Sequence, residues 1–257
     1  MRQPLSDLRV VVTRPESQSE ELCSRLRALG AQPVLFPVIA IVPPEADGPL
    51  DKAIARLAGY DWTIFTSVNG VEYFWARLET IHAPSPQTNT SPFRGRVAAI
   101  GPATAEALQQ RGVSVDLMPA EYRAEAILDE IGDVAGQRIL LPRADIARRA
   151  LADGLRTKGA QVDEVAAYRT VRAIPSSAAF ETLSAGVDVV TFTSSSTVRN
   201  FVSLTQGLDY GDPLIACIGP VTAATAHELD LRVDVTAEEY TIDGLLEALE
   251  LMERPAR

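Results

Sequence analysis

Two similar α/β domains, each a parallel sheet with helices on both faces, are what this sequence predicts. Three observations lead there. The chain has 257 residues, which fits two domains of ordinary size. Short strand-like apolar runs alternate with helical stretches of ordinary length, the pattern of parallel sheets covered by helices. Three segments each occur twice, at a period near half the chain, which is too long for a solenoid.

The first segment is Arg9 to Gln32, repeated as Arg138 to Gln161. A β-type run (Val10-Val11-Val12, then Ile139-Leu140-Leu141) leads to an arginine, Arg14 or Arg143. An amphipathic helix follows and closes on Leu-Arg-x-x-Gly-Ala-Gln in both copies. The second segment is Asp61 to Phe74, repeated as Asp188 to Phe201: strand, Phe-Thr-Ser, helix. The third is Val97 to Ile131, repeated as Ile215 to Leu249. Its strand runs into Ile-Gly-Pro-x-Thr-Ala, then a helix, a Val-Asp strand, Glu-Tyr and a last helix. The copies share eight of 24, six of 14 and eleven of 35 positions, so each pair is one unit used twice. The repeat alone does not say which units share a domain. Leu35–Val42 and Val165–Arg172 are β-prone, follow the two copies of the first unit, and are candidates for paired crossings between domains. Pro43–Pro49 and Ala83–Pro92 read as loops, the second a mobile surface excursion.

Composition narrows the function. Hydrophobic residues make up 46% and charged residues 23%, normal for a globular core. Lys and Arg number 24 against 34 Asp and Glu, a net charge of −10, which argues against a nucleic-acid surface. No apolar run is long enough to span a bilayer, and Met1 to Asp7 lacks a signal-peptide core. Cys23 and Cys217, far apart and in apolar contexts, read as buried thiols of a cytoplasmic protein. His82 and His227 are the only histidines, and no Cys/His cluster predicts a metal.

In open parallel sheets, ligands bind beyond the carboxyl ends of the strands. The repeat puts three such ends in each domain: Thr13-Arg14 and Pro142-Arg143, the two Phe-Thr-Ser turns, and the two Ile-Gly-Pro-x-Thr turns. Each offers free backbone N–H groups and a positive helix end, which suits an anion. Ser67, Ser194 and Ser195 add hydroxyls at the helix starts, and Thr104 and Thr222 add them in the first turn. Gly101 and Gly219 allow close backbone approach. Taken singly, each such residue is more often an ordinary cap or turn. The case for a ligand site rests on six such strand ends recurring symmetrically, which would let them face one cleft. Phosphate loops, dinucleotide-binding glycine motifs and nucleophile elbows are missing. A chain so short of conventional catalytic groups would act mainly by holding a reactive substrate in one shape.

Together these motifs resemble the uroporphyrinogen-III synthase family along nearly the full length. The match is carried by Val11-Val12-Thr13-Arg14-Pro15, Leu35-Phe36-Pro37, Ile64-Phe65-Thr66-Ser67-Val68-Asn69-Gly70-Val71, Ala99-Ile100-Gly101-Pro102-Ala103-Thr104 and Ala167-Tyr168-Arg169-Thr170. It continues through Phe192-Thr193-Ser194-Ser195-Ser196 and Ile218-Gly219-Pro220-Val221-Thr222-Ala223. The resemblance implies two α/β domains joined by a two-stranded β connection, with a cleft between them. One domain is 1–37 plus 173–257 and the other 38–172, with connecting strands near 35–42 and 165–172. It implies a cofactor-independent lyase of porphyrin, tetrapyrrole and heme biosynthesis. Such an enzyme closes hydroxymethylbilane, a linear tetrapyrrole with eight carboxylates, to uroporphyrinogen III. Water is lost and the last pyrrole ring is inverted.

On that reading Tyr168 is the catalytic candidate, a phenol donating to the departing hydroxyl. Thr13, Arg14, Ser67, Asn69, Gly101, Thr104, Arg143, Ser194, Ser195, Gly219 and Thr222 are the substrate-binding candidates. Tyr122 and Tyr240 read as packing residues or loop anchors. The expected state is a cytoplasmic monomer with a small-molecule substrate and neither nucleic acid nor membrane as partner. Two other readings remain open at this point. One is a non-catalytic cytoplasmic protein, or inactive paralogue, that binds an anion in the cleft. The other is a nucleotide-using enzyme, disfavoured by the missing phosphate loop.

Overall fold

The computed structural model describes residues 4–81, 91–121 and 123–252; Tyr122, His82 and all but the last two residues of the 83–92 loop lie outside them. In chain order the elements are β1 (Arg9–Val12), α1 (Glu20–Ala28), β2 (Gln32–Leu35), β3 (Ile39–Val42), α2 (Pro49–Ile54), β4 (Trp62–Phe65), α3 (Val68–Ile81), β5 (Arg96–Ala99), α4 (Pro102–Gln109) and α5 (Ala124–Glu130). They continue with β6 (Arg138–Ala144), α6 (Ala150–Thr157), β7 (Gln161–Arg172), α7 (Ser177–Ser184), β8 (Val189–Phe192), α8 (Ser195–Thr205), β9 (Leu214–Cys217), α9 (Pro220–Glu228), β10 (Val235–Thr236) and α10 (Ile242–Leu251).

The chain divides into two compact units, 1–41 with 171–257 and 42–170. The strands form two sheets: β10-β9-β8-β1-β2, within the first unit, and β3-β7-β6-β4-β5, of which β4, β5, β6 and most of β7 belong to the second. The pairings β1–β2, β1–β8, β8–β9 and β9–β10 are parallel, as are β4–β5, β4–β6 and β6–β7. Counted along the chain, the first sheet has the doubly wound order 2-1-3-4-5. The second repeats it with the chain rotated: β7-β6-β4-β5, then Leu117 bridged to Ala98. The first unit thus takes the early copy of the first repeat and the late copies of the other two. The second unit takes the remaining three.

Local chemistry explains the elements. The strands are β-branched and apolar and are fully buried in mid-sheet, as at Val10, Val11, Val12, Val189 and Val190. Pro33 lies in β2, an edge strand, where a missing N–H is tolerated. Pro142 lies in central β6, and the β4–β6 pairing stops before it, at Leu140. Helices α4 and α9 begin on Pro102 and Pro220, where the absent N–H is harmless. Ser194 caps α8 with a reciprocal box to Thr197, and Thr241 caps α10 through the Gly244 N–H.

Each sheet buries apolar side chains on both faces. In the first unit, α1 and α10 cover one face and α7, α8 and α9 the other; Phe36 meets Phe180 and Phe201 edge-on at 5.0 and 5.6 Å. In the second, α2, α3 and α4 cover one face and α5 and α6 the other. The helices following β1 and β8 diverge to opposite faces, as do those following β6 and β4. The strand order therefore reverses at these two points, where open parallel sheets leave a crevice. Among the described residues no helix is long and apolar enough to cross a membrane.

Candidate functional site

In the first unit the reversal point lies between the ends of β1 and β8. Thr13 is 0% exposed and its hydroxyl donates to the Thr191 carbonyl at 2.7 Å, while Thr191 Oγ1 donates to the Val11 carbonyl at 2.7 Å. Both hydroxyls therefore tie the strands together. Arg14, the next residue, leaves the sheet. It enters a hollow of about 380 Å3 with Gln18, Ile39, Ser194, Tyr240 and Thr241. Burial pushes its guanidinium below the ordinary value, opposed by attraction from Glu21. Among the described residues its side chain meets no hydrogen-bond or ion-pair partner. A half-buried cation with no direct ion-pair partner is the local chemistry of an anion site.

The remaining candidates of this unit divide by use. The Ser194 hydroxyl accepts from the Thr197 N–H at 3.3 Å and meets Ser196 Oγ at 3.0 Å. Ser195 turns to α9, taking a hydrogen bond from Thr225 Oγ1 at 2.7 Å and donating to the Val221 carbonyl at 3.4 Å. Thr222 is buried in the first turn of α9, and Gly219 caps that helix.

In the second unit the reversal point lies between the ends of β6 and β4. Ser67 precedes α3; its Oγ accepts from the Gly70 N–H at 3.0 Å and lies 3.2 Å from the Tyr168 hydroxyl. Asn69 follows in the first turn of α3, half-buried. Gly70 is tight there: a Cβ would sit 3.1 Å from the Pro142 carbonyl oxygen. Gly101 caps α4, and Thr104 is buried in its first turn.

Tyr168 reaches Ser67 because β7 is irregular. Arg143 pairs with Ala166, but Ala144 pairs with Tyr168, so Ala167 is passed over. Strict alternation would carry Tyr168 to the face of Val162 and Glu164. The extra residue returns it to the α3 face, a use of strand irregularity common beside active sites. There its ring lies 5.8 Å from that of Tyr73. Tyr168 is only 8% exposed.

Arg143 behaves otherwise than Arg14. It is 4% exposed, its Nη2 donates to the Arg148 carbonyl, and its Nε lies 3.5 Å from Glu164 Oε1. That Nε contact is an ion pair without hydrogen-bond geometry, and Nε has no other hydrogen-bond partner. Burial lowers the guanidinium below its usual value, opposed first by Glu164 and then by Tyr168. The structure gathers Arg14 with Ser194, and Ser67 with Tyr168. It turns Arg143 to the α6 face.

Three residues at these strand ends carried no motif in the sequence reading: Gln18, Thr241 and Tyr73. Thr241 precedes an apolar helical run and could have been found as a cap. Tyr73 has no such signal. Among the described residues no group of three or more His, Cys, Asp or Glu side chains is placed to hold a metal ion.

A family model described as uroporphyrinogen-III synthase HemD matches residues 20–247. The chain belongs to the uroporphyrinogen-III synthase family. It is 39% identical to a uroporphyrinogen-III synthase of Synechococcus elongatus over 96% of both chains. It is 28% identical to that of Escherichia coli, over 94% of this chain and 99% of the other. Among solved structures, the uroporphyrinogen-III synthetase of Helicobacter pylori matches with a TM-score of 0.62 at 17% identity, covering 94% of this chain and 97% of that one. A Thermus thermophilus uroporphyrinogen III synthase matches with a TM-score of 0.58 at 20% identity, over 93% and 96%. At these identities the structural matches speak for the fold, while family membership rests on the sequence matches.

Proposed function

We propose that the chain converts hydroxymethylbilane to uroporphyrinogen III as a cytoplasmic monomer, with inversion of the last pyrrole and loss of water. The observation that carries the chemistry is the Tyr168 hydroxyl, 3.2 Å from Ser67 Oγ at the head of α3. A phenol so placed can protonate the departing hydroxyl. The electron-rich pyrrole supplies the push that expels water, so one weak acid is enough.

Ring inversion then depends on how the substrate is held. Carboxylates are taken by Arg14 and by backbone N–H groups and hydroxyls at Ser67, Asn69, Gly101, Thr104, Ser194, Gly219 and Thr222. These groups fix the chain of pyrroles so that the last ring attacks through its substituted carbon, giving the spiro intermediate. Helix ends and hydroxyls do this with few lysines and arginines, which reconciles an eight-carboxylate substrate with a net charge of −10. Thr13, Ser195 and Arg143 support this frame from within the fold.

The test is to supply hydroxymethylbilane and identify the ring isomer. Type III product above the uncatalysed type I background is the expected result. Type I alone would overturn the reading in favour of a binding protein.

A further inference from the structure

Gly219 sits between β9 and α9 with φ 176° and ψ 175°. That is extended backbone which any residue adopts, so the local chain does not demand glycine. Tyr240 does. A Cβ on residue 219 would lie 2.8 Å from Tyr240 Cδ1 and 3.2 Å from Cγ. The ring therefore rests directly on the backbone of the β9–α9 turn. Packing alone does not account for this placement, because Tyr240 is 66% exposed. The Cδ1 side of the ring is seated on a glycine while most of the residue's surface stays open. It borders the hollow that holds Arg14 and Ser194, one residue before the Thr241 cap of α10.

We propose that Tyr240 is a substrate-contacting residue whose open ring takes one pyrrole of the substrate while Arg14 takes a carboxylate of that same pyrrole. The inference rests on the reading of the chain as a tetrapyrrole cyclase and adds to it a ring-binding position. A pyrrole is flat, electron-rich and flanked by acid side arms. An aromatic platform beside an unpaired guanidinium matches both features at once. Gly219 thereby has a further task, seating the Tyr240 ring. Tyr240, read from the sequence as a packing residue or loop anchor, becomes part of the binding surface.

The experiment is a double-mutant cycle on the intact chain, measuring KM and kcat with hydroxymethylbilane for wild type, Gly219→Ala, Tyr240→Ala and the double variant, with a thermal melt of each. Either single change is expected to raise KM by about threefold to tenfold, the range of one aromatic contact, with kcat less affected and the melt little moved. The double variant is expected to be no worse than Tyr240→Ala, because removing the ring frees the space a Cβ needs. Gly219→Ala raising KM equally in both backgrounds overturns the proposal, as does an unchanged KM in Tyr240→Ala. KM losses that track a falling melting temperature also overturn it, in favour of packing. If wild type makes no type III product, the parent reading fails separately. Titration with a monopyrrole bearing acetate and propionate arms, followed by NMR, then decides: weaker binding by Tyr240→Ala supports the platform, and equal binding sinks it.

Discussion

The strand ends of the two units come from the same repeat and serve opposite uses. In the first, β1 stops at Val12, so Arg14 lies beyond the sheet and points unpaired into a hollow. In the second, β6 runs on to Ala144, so Arg143 is still within a strand and is held against Glu164. The partner strands reinforce the contrast. Leu35 pairs with Val12 where Glu164 pairs with Leu141, so the first unit has no carboxylate at that point. At the same count along the repeat, Ile39 stands where the second unit has Tyr168. One end holds a guanidinium with no direct partner among the described residues and the other presents a phenol. Near-symmetric sequence yields unlike chemistry because two or three residues of strand length decide whether a side chain is packed or free.

The sharpest way to break this comparison is to remove both arginines in turn. Arg143→Met leaves Glu164 and the Arg148 carbonyl without their partner. It should lower stability by about 2–3 kcal/mol, below the full range for a buried pair because Glu164 is partly solvated. Arg14→Met should leave stability within about 0.5 kcal/mol and instead raise KM. Denaturant melts and steady-state kinetics on both variants check this, and interchangeable behaviour would dissolve the distinction.

Tyr168→Phe comes next. Turnover to type III product should fall by about a hundredfold or less, since the pyrrole already activates the leaving hydroxyl. Losing the Ser67 contact should take about 1 kcal/mol from stability. Unchanged turnover would remove Tyr168 from the mechanism, and a large loss of melting temperature would make it a packing residue.

Ser67→Ala and Ser194→Ala compare the two caps. Each should cost about 1 kcal/mol in a melt. Only Ser67→Ala should also slow turnover in proportion to Tyr168→Phe. Equal kinetic effects would mean that the phenol is not what distinguishes the second unit.

The smallest expected effect is at Thr222. Thr222→Val keeps the volume and should raise KM modestly, whereas Lys52→Ala, on α2 away from the strand ends, should change nothing measurable. If the two variants match, the binding surface is wrongly placed.

Much of the fold was legible because it is written in local periodicity. Alternating apolar strands and amphipathic helices, and the recurrence of Phe-Thr-Ser and Ile-Gly-Pro-x-Thr, report short-range preferences that each segment carries alone. The candidate site was legible in residue type and less so in use. Ser67, Ser194 and Arg14 were named because strand ends and helix starts have sequence signatures. The same signatures also named Thr13 and Ser195, whose hydroxyls turn out to bind Thr191 and the α9 segment.

The sequence by itself determined the repeated units, the parallel α/β class and the placement of hydroxyls and glycines at the strand ends, since these follow from periodicity and backbone preference. Only the tertiary structure decided which copies share a sheet, because strand pairing joins segments far apart in the chain. It alone set Arg143 against Glu164 and left Arg14 open, because strand length beyond a shared motif depends on the neighbouring strand. It alone brought Tyr168 to Ser67, because one unpaired residue at Ala167 reverses which face of the sheet a side chain occupies.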